Sequence, residues 1–159
     1  MRLDSLDADL IQLLTDSPML PAMECARRLG VARGTVTSRL ARLQENGVIE
    51  AIIPRIQPAG FGYQLVAFCS VELDQKYGHV RITDALTESI PEIMDMYTVT
   101  GDFDLHLRVV ARNASELQDV FDRISQVPGV ARTSSSLALR EHFQGRTLPL
   151  VKTEASHDE

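Results

Sequence analysis

The first fifty residues carry apolar side chains at three- and four-residue steps, the spacing of amphipathic helices. This pattern predicts three helices: one over about residues 5–16, one from Pro21 to Gly30, and one over residues 33–46. The short turn between the last two predicts a helix-turn-helix. The apolar positions are, in order, Leu3, Leu6, Leu10, Leu13 and Leu14; Met23, Ala26 and Leu29; and Val36, Leu40 and Leu43.

Residues 48–62 separate these helices from the rest of the chain. The segment 48–53 is short, rich in β-branched residues and followed by Pro54, which predicts a strand that leaves the helical region. Residues 54–62 contain two prolines and two glycines, a composition typical of a linker of limited flexibility. We therefore expect a helix-turn-helix domain in residues 1–50 and a strand and linker in residues 51–62.

From residue 63 onward, most apolar positions alternate as in strands, and two stretches keep a helical spacing. The predicted strands cover residues 64–73, 93–100, 103–109 and 130–140, and the predicted helices cover 79–90 and 114–127. Their order is that of a ferredoxin-like βαββαβ unit, so the fold class of the chain is α+β. We assign this unit to residues 63–145 and expect residues 146–159 to form a polar, poorly ordered tail.

The first strand of this unit is apolar on both of its faces. Leu65 and Ala67 alternate with Val66 and Phe68, and the pattern continues towards Leu73. In a βαββαβ unit both helices lie on one face of the four-stranded antiparallel sheet, so the second apolar face needs another cover. A second subunit is the simplest candidate.

Charge is distributed unevenly along the chain, whose formal net charge is −6. Residues 1–50 contain six arginines against seven acidic residues, and five of those arginines lie within residues 27–42. Residues 63–159 contain nine basic residues against fifteen acidic ones. Contact with phosphate depends on a local basic patch, so the acidic total does not exclude nucleic-acid binding.

Other residue types narrow the class of protein. Cys25 and Cys69 lie far apart in apolar segments, which predicts two buried thiols and no disulfide or cysteine metal site. His79, His142 and His157 show no metal-ligand spacing, and we expect no cofactor. The N-terminus lacks the apolar run of a signal peptide and no stretch is long enough to cross a membrane. We therefore expect a cytoplasmic protein.

The outward face of the third predicted helix is basic and rich in hydroxyl groups. No acidic residue occurs between Glu24 and Glu45. A solvated polar face is the usual explanation for such residues, but the two preceding helices favour a DNA recognition helix. The residues of this face are Arg33, Thr35, Thr37, Ser38, Arg39 and Arg42.

The position of each residue along this helix suggests its role. Arg33, Thr35 and Ser38 are the expected base contacts, because the N-terminal part of a recognition helix enters the major groove. Arg33 and Gly34 would let a phosphate approach the exposed amides. Ala32, the expected N-cap, has no side-chain oxygen, so Thr35 or a DNA phosphate would take that role. The expected phosphate anchors are Arg39 and Arg42, with Arg27 and Arg28 as additional candidates.

Four motifs in order carry a resemblance to one protein family. They are LDADLIQLL at residues 6–14, LGV at 29–31 followed by VTSRLARLQENGVI at 36–49, VTGDFD at 99–104, and PGV at 128–130. Over residues 3–150 the chain resembles the Lrp/AsnC (feast/famine) family of bacterial and archaeal transcription regulators. It departs from the family pattern at Ala32, where the family often has serine.

The resemblance implies a winged-type helix-turn-helix domain followed by a ferredoxin-like domain of the RAM type. It also implies a homodimer made through the C-terminal domains, with further assembly to tetramers or octamers. An amino acid or related small molecule is expected in a cleft between dimers near the GDFD turn. On this chain the implied effector-binding residues are Thr100, Gly101, Asp102 and Asp104, with Ser134, Ser135 and Ser136 from a neighbouring subunit.

A β-turn between paired strands is the alternative interpretation of residues 101–104, and both interpretations are compatible. An amino-acid ligand needs an acceptor for its ammonium group, which Asp102 or Asp104 supplies, and donors for its carboxylate, which backbone amides or serine hydroxyls supply. Asp104, His106 and Arg108 share one strand face without a nucleophile beside them. A hydrogen-bonded set is therefore favoured over a catalytic one.

The favoured function is that of a regulator, dimeric or larger, that binds double-stranded DNA and responds to an amino-acid effector. One alternative is an architectural protein that coats DNA without an effector. Another is a small-molecule-binding ferredoxin-like enzyme with an accessory helical domain. The missing catalytic constellation argues against the enzyme, and we expect no enzymatic activity.

Overall fold

The computed structural model describes residues 1–157 and divides the chain into two compact units. The first contains residues Met1–Arg55 together with the segment that begins at Phe143. The second contains residues Ile56–His142. The two units correspond to the predicted order of a helix-turn-helix followed by a ferredoxin-like domain.

The first unit is helical, with α1 at Ser5–Asp16, α2 at Ala22–Leu29 and α3 at Arg33–Glu45. Asp4 caps α1 by accepting a hydrogen bond from the amide of Asp7. Gly30 ends α2 in the left-handed conformation, with φ of 67°, and this turn leads into α3. The buried core contains Leu3, Leu10, Leu14, Cys25, Ala26, Val36 and Leu43.

Three sequence expectations for this unit were wrong. The first is that the side chain of Met23 points into the core. Its side chain is 66% exposed, because the buried residues of α2 are Cys25 and Ala26. Cysteine and alanine bring the backbone of α2 closer to its neighbours than methionine would. Met23 therefore lies outside the core that was predicted to contain it.

No β-strand forms among residues 48–53, although their composition predicted one. The amides of Val48 and Ile49 both donate to the carbonyl of Leu43, at 2.9 and 3.1 Å, so the segment first closes α3. The residues after them have no regular secondary structure and no neighbouring strand within the described chain. A strand requires a partner backbone, and composition alone does not supply one.

The predicted polar tail, residues 146–159, instead contains a helix, α6, at Leu148–Ser156. Ala155 is buried, and Val151 packs against the core of the first unit, where α6 lies against α1. Leu148, Val151 and Ala155 lie on one apolar stripe of this helix, whereas Leu150 is exposed. Residues 158 and 159 of the predicted tail lie outside the described residues.

The second unit is a four-stranded antiparallel sheet with two helices, as predicted for a ferredoxin-like fold. Its strands are β1 at Leu65–Leu73, β2 at Ile93–Thr98, β3 at Leu105–Ala111 and β4 at Val130–Leu137. They lie in the order β2-β3-β1-β4. The helices are α4, at His79–Ser89, and α5, at Ala114–Gln126. Both helices pack on one face of the sheet and form a single core with it. The buried residues of this core include Ile82, Leu86, Leu117, Val120 and Ile124 of the helices and Ala67, Cys69, Val71, Leu105, Leu107 and Val109 of the sheet.

Strand alternation leaves the other face of this sheet without helices. Residues directly opposite in register share a face, so Phe68 of β1 lies beside Arg108 of β3 and Ser136 of β4. We call this surface the open face of the sheet. It is defined by Phe68, Ser70, Asp95, Tyr97, His106, Arg108, Ser134 and Ser136.

Both cysteines are buried and free, as predicted. Burial raises the pKa of the Cys69 thiol to about 11. Among the described residues, no helix has both the length and the apolar character needed to span a bilayer.

Only glycine fits at position 129, in the turn before β4. Its φ is 97°, and a Cβ there would lie 2.6 Å from Cδ1 of Ile82 and 2.8 Å from Cβ of Tyr77. We predict that Gly129→Ala lowers the free energy of unfolding of the second unit by about 3 kcal/mol or more, through backbone strain and overpacking together. Denaturation followed by tyrosine fluorescence measures this, because all three tyrosines lie in residues 56–142.

Gly78→Ala is the matched control, since Gly78 also has a positive φ, of 79°, but nothing within 4 Å of an added Cβ. It should cost about 1–2 kcal/mol from backbone strain alone. Equal losses in the two variants would show that the contact with Ile82 does not matter.

Candidate DNA and effector sites

The outward face of α3 presents small and polar side chains at helical spacing. Val36 and Leu43 point into the core, so Gly34, Ser38 and Ala41 lie on the opposite side, and all three are exposed. Arg33 and Thr37 are exposed beside them, whereas Thr35 is half-buried. Small side chains along the centre of this face permit a close approach to a flat or grooved partner.

The N-terminal end of α3 is open. Ala32 makes no side-chain capping bond, and the first turn contains no acidic residue. Ala32, Arg33 and Gly34 are all exposed. A helix N-terminus of this kind favours an anion such as phosphate, through its free amides and the helix dipole.

One buried carboxylate connects α1 to α3. The side chain of Asp7 is fully buried, and its Oδ1 accepts a hydrogen bond from Nη1 of Arg39 at 2.9 Å. Its Oδ2 accepts one from Nη2 of Arg42 at 2.5 Å. Nη1 of Arg39 also donates to both carboxylate oxygens of Asp4, each at 2.6 Å. We call these four residues the Asp7 cluster.

The two arginines of the Asp7 cluster are the predicted phosphate anchors, Arg39 and Arg42. The side chain of Arg39 is only 24% exposed and that of Arg42 is 45% exposed. Both guanidinium groups therefore already serve to position α3 within the unit, and Arg39 more completely than Arg42. A phosphate contact by either arginine stays a prediction, and any such contact must be made by the donors that the carboxylates leave available.

Hydrogen bonding by Arg39 lowers the pKa of Asp4 below its ordinary value of 3.8. A lowered folded-state pKa contributes stability above the unfolded-state value, and this contribution is lost as the pH falls through the lowered value. The ion pair between Asp4 and Arg39 is therefore fully formed at neutral pH.

The two further candidates for phosphate contact, Arg27 and Arg28, share one partner. Oε1 of Glu24 accepts from Nη2 of Arg27 at 2.6 Å and from Nε of Arg28 at 2.9 Å. Hydrogen bonds from Arg27 and then Arg28 lower the pKa of Glu24 to about 2. All three residues lie on the surface of α2, where Glu24 offsets part of the positive charge of the two arginines.

The turn between β2 and β3 contains the predicted effector residues. Thr100, Gly101 and Asp102 are exposed there. Asp104 is half-buried, and its carboxylate accepts a hydrogen bond from the amide of Leu73 at 2.7 Å. Its own amide donates to the carbonyl of Val71 at 2.9 Å. Asp104 therefore holds the turn against β1, and Asp102 is the carboxylate that faces solvent.

The three predicted serines lie on β4, and the strand divides them between its two faces. Ser134 and Ser136 stand opposite Ser70 and Phe68 on the open face, whereas Ser135 stands opposite Cys69 on the helical face. The turn reaches β4 at Arg132, whose guanidinium lies 4.7 Å from the ring centroid of Phe103. At about 3.3 Å per residue, the serines begin roughly 7 Å further along the strand.

Polar and aromatic groups on the open face contact each other in pairs. The rings of Phe68 and His106 are stacked with centroids 5.6 Å apart, and Nδ1 of His106 lies 3.2 Å from Oγ of Ser70. Arg108 forms an ion pair with Asp95. The Asp104, His106 and Arg108 set therefore contains separate structural contacts, and no cluster of potential metal ligands occurs among the described residues.

The role of Asp7 was not predicted from the sequence. A signal was present, because Leu3, Asp7, Leu10 and Leu14 occupy one helical stripe and only Asp7 is charged. A carboxylate on an apolar stripe requires a charged partner, and only the folded unit identifies Arg39 and Arg42 as that partner.

Comparison with known proteins covers both units. A family model described as winged helix-turn-helix DNA-binding matches residues 3–50, and one described as Lrp/AsnC ligand binding domain matches residues 66–148. The HTH-type transcriptional regulator FL11 of Pyrococcus horikoshii is 32% identical, over 93% of this chain and 97% of the relative.

Solved structures share the fold along nearly the whole chain. E. coli AsnC superposes with a TM-score of 0.82 at 22% identity, covering 94% of this chain and 100% of that one. A transcriptional regulator from Neisseria meningitidis, solved as an L-Met complex, superposes with a TM-score of 0.81 at 23% identity, covering 93% and 97%.

We predict that Asp7→Ala lowers the stability of the helical unit by about 3 kcal/mol, since it removes a buried carboxylate that two arginines and a capping box require. The measurement is amide hydrogen exchange in α1 and α3 of the full chain. Asp9→Ala is the control, because it removes an exposed carboxylate from the same helix and should change stability by about 0.5 kcal/mol or less. Similar exchange rates in the two variants would contradict a positioning role for Asp7.

Proposed function

Because the chain belongs to the Lrp/AsnC family of DNA-binding transcriptional regulators, we propose that α3 reads double-stranded DNA in the major groove. One observation carries this proposal. The N-terminal half of α3, the second helix of a helix-turn-helix, is exposed, has no side-chain cap and contains no acidic residue. Gly34, Ser38 and Ala41 let the helix approach the groove floor. Arg33, Thr35, Thr37 and Ser38 supply the donors and acceptors that face the bases and the nearest phosphates.

Arg39 and Arg42 have a double role in this proposal. Asp7 holds both guanidinium groups, which sets the rotation of α3 about its axis. The more exposed Arg42 then contacts a phosphate at the edge of the groove, and Arg39 contributes through its remaining donors. Phosphate contacts of this kind orient the protein on DNA without reading sequence.

We propose that the turn between β2 and β3 binds an amino acid or a related small molecule. Asp102 accepts hydrogen bonds from the ammonium group, and Thr100 and Gly101 lie beside it. Asp104 keeps the turn in place through Leu73. The L-Met complex of the Neisseria regulator supports an amino acid as the ligand class.

Ser134, Ser135 and Ser136 are proposed to contact the effector from a neighbouring subunit. They lie on the edge strand β4 and are exposed, so they are accessible to a turn that belongs to another copy. Their hydroxyl groups supply donors for a carboxylate. The effector is thereby proposed to bind between dimers.

A homodimer is proposed to form through the open face of the sheet. Tyr97 is 60% exposed there, and Phe68 stacks on His106. Within each chain Arg108 pairs with Asp95, so burial of this face does not leave that charge unpartnered. Dimers are further proposed to assemble into tetramers or octamers, which would set the spacing between helix-turn-helix units along DNA.

The proposed division of labour assigns DNA binding to residues 1–50 and effector binding and assembly to residues 63–145, with residues 51–62 as the connection. Effector binding between dimers would change which pairs of α3 helices match successive major grooves. Since the proposed partner is chromosomal DNA, we also propose a cytoplasmic location.

Arg33→Gln tests DNA binding by α3. Loss of one phosphate contact should reduce the slope of log affinity against log salt concentration by about 0.9. Equilibrium binding is measured on a duplex that the protein has selected from a random-sequence pool. Arg81→Gln, which removes an exposed arginine from α4, is the control and should leave the slope unchanged. A parental slope in Arg33→Gln would exclude a phosphate contact by Arg33, and failure to select any sequence would favour the architectural alternative.

Phe68→Glu tests the proposed dimer. A carboxylate buried against the partner's aromatic groups should raise the dimer dissociation constant at least about thirtyfold, as expected for the loss of a central contact. Analytical ultracentrifugation over a range of concentrations measures it. Val80→Glu introduces the same charge on α4 at an exposed apolar position and should leave the dimer intact. Dissociation of both variants alike, or of neither, would rule out the open face.

A further inference from the structure

A cavity of about 270 Å³ lies in the second unit, where the end of β3 meets α5. Its walls combine two guanidinium groups with three carboxylates, and Ala111 and Val120 form its apolar part. The turn proposed for the effector precedes Leu105, at the other end of β3. The two places are therefore separated by the length of β3, seven residues of strand or about 20 Å. The charged residues of the cavity are Glu92, Arg112, Glu116, Asp119 and Arg123.

Glu92 has an unsatisfied oxygen in this cavity. Its Oε1 accepts a hydrogen bond from Nη2 of Arg123 at 2.6 Å. Its Oε2 is buried and has no hydrogen-bond partner, the one side-chain atom of this kind among residues 1–157. Burial opposes ionisation of Glu92, but the hydrogen bond from Arg123 and the charges of Arg123 and Arg112 outweigh it, so the pKa lies below its ordinary value. The carboxylate is therefore ionised and lacks one donor.

The other carboxylates of the cavity differ in how they are paired. Glu116 accepts from Asn113 at 3.3 Å and from Arg112 at 3.5 Å. Asp119, one turn further along α5, has no ion pair or hydrogen bond within the described chain and is exposed. Three carboxylates against two guanidinium groups leave one excess negative charge. A small cation that can donate hydrogen bonds would balance this charge and supply the donor that Glu92 lacks.

We propose that this cavity is a second ligand site, which binds a small molecule through its primary ammonium group. The ammonium donates to the carboxylate of Asp119 and, once a rotation of the Glu92 side chain turns Oε2 towards the cavity, to that oxygen, and its charge balances the excess negative charge. Arg112, whose guanidinium lies 4.4 Å from the ring centroid of Tyr63, is half-exposed and available to a ligand carboxylate. A free amino acid satisfies all of these groups, and the volume admits a short side chain.

The first step of the test asks whether the ammonium group is recognised. Isothermal titration calorimetry of the full chain with each of the twenty amino acids identifies binders. Each binder is then compared with the amine that lacks its carboxylate and with its N-acetyl derivative. The cavity should keep binding the amine and lose the N-acetyl form. Equal binding of the N-acetyl form, or no binding of any amino acid or amine, overturns the proposal.

The second step assigns binding to the cavity. Asp119→Asn should weaken amine binding at least about tenfold, the usual cost of removing one charged hydrogen-bond acceptor. We expect this variant to fold, because Asp119 is exposed and has no ion pair or hydrogen bond within the described chain. Glu92→Gln should weaken amine binding by a similar factor. If the Glu92→Gln variant does not fold, the affinity of Asp119→Asn alone tests the proposal. Parental affinity in Asp119→Asn for every amine and amino acid overturns the proposal.

Asp102→Asn separates this site from the effector site proposed above. It should leave amine binding at the cavity unchanged and abolish binding at the turn between β2 and β3. If binding survives in Asp119→Asn and disappears in Asp102→Asn, the turn binds the ligand and the cavity does not. If only the cavity variants lose binding, the proposal for the turn fails and the cavity stands.

Discussion

The carboxylate of Asp7 lies in the core of the helical unit, where an unpaired charge would be strongly destabilising. Arg39 and Arg42 satisfy it from α3, so any shift of α3 that moves these arginines away incurs that cost. A buried ion pair of this kind adds less net stability than an apolar contact of similar size, but it selects one rotation of one helix against another. A helix that reads a DNA groove needs that selection, because a rotation of about 40° would replace Ser38 with Arg42 at the centre of the contact.

Charge pairing within the chain also prepares the open face of the sheet for burial. Arg108 and Asp95 neutralise each other, and His106 contacts both Ser70 and Phe68. A second subunit that covers this face meets groups whose partners are already supplied. The proposed dimer interface would therefore gain from the apolar area of Phe68 and Tyr97 without first separating ion pairs.

Periodicity predicted most of the fold, because it records which side of each element faces the core. All three helices of the helix-turn-helix and all six elements of the βαββαβ unit were located to within about two residues, except for the end of β4, which lies three residues before the predicted end. It failed where structure depends on a distant partner. Residues 48–53 have the composition of a strand but no strand beside them. The short helix α6 is stabilised by the contacts of Val151 and Ala155 with the rest of the unit more than by its own propensity.

The candidate sites were predictable only as residue types on a face, because a sequence does not show which charges the fold already uses. Arg39 and Asp104 both looked suited to a ligand, yet Arg39 holds Asp7 and Asp104 holds the amide of Leu73. A side chain committed in this way can bind a ligand only by sharing its donors or by giving up a structural contact. Arg33, Asp102 and Asp119 are exposed and have no partner within the described chain, so a ligand gains their full interaction. Recognition by this protein is therefore best sought at charges that the fold leaves unpaired.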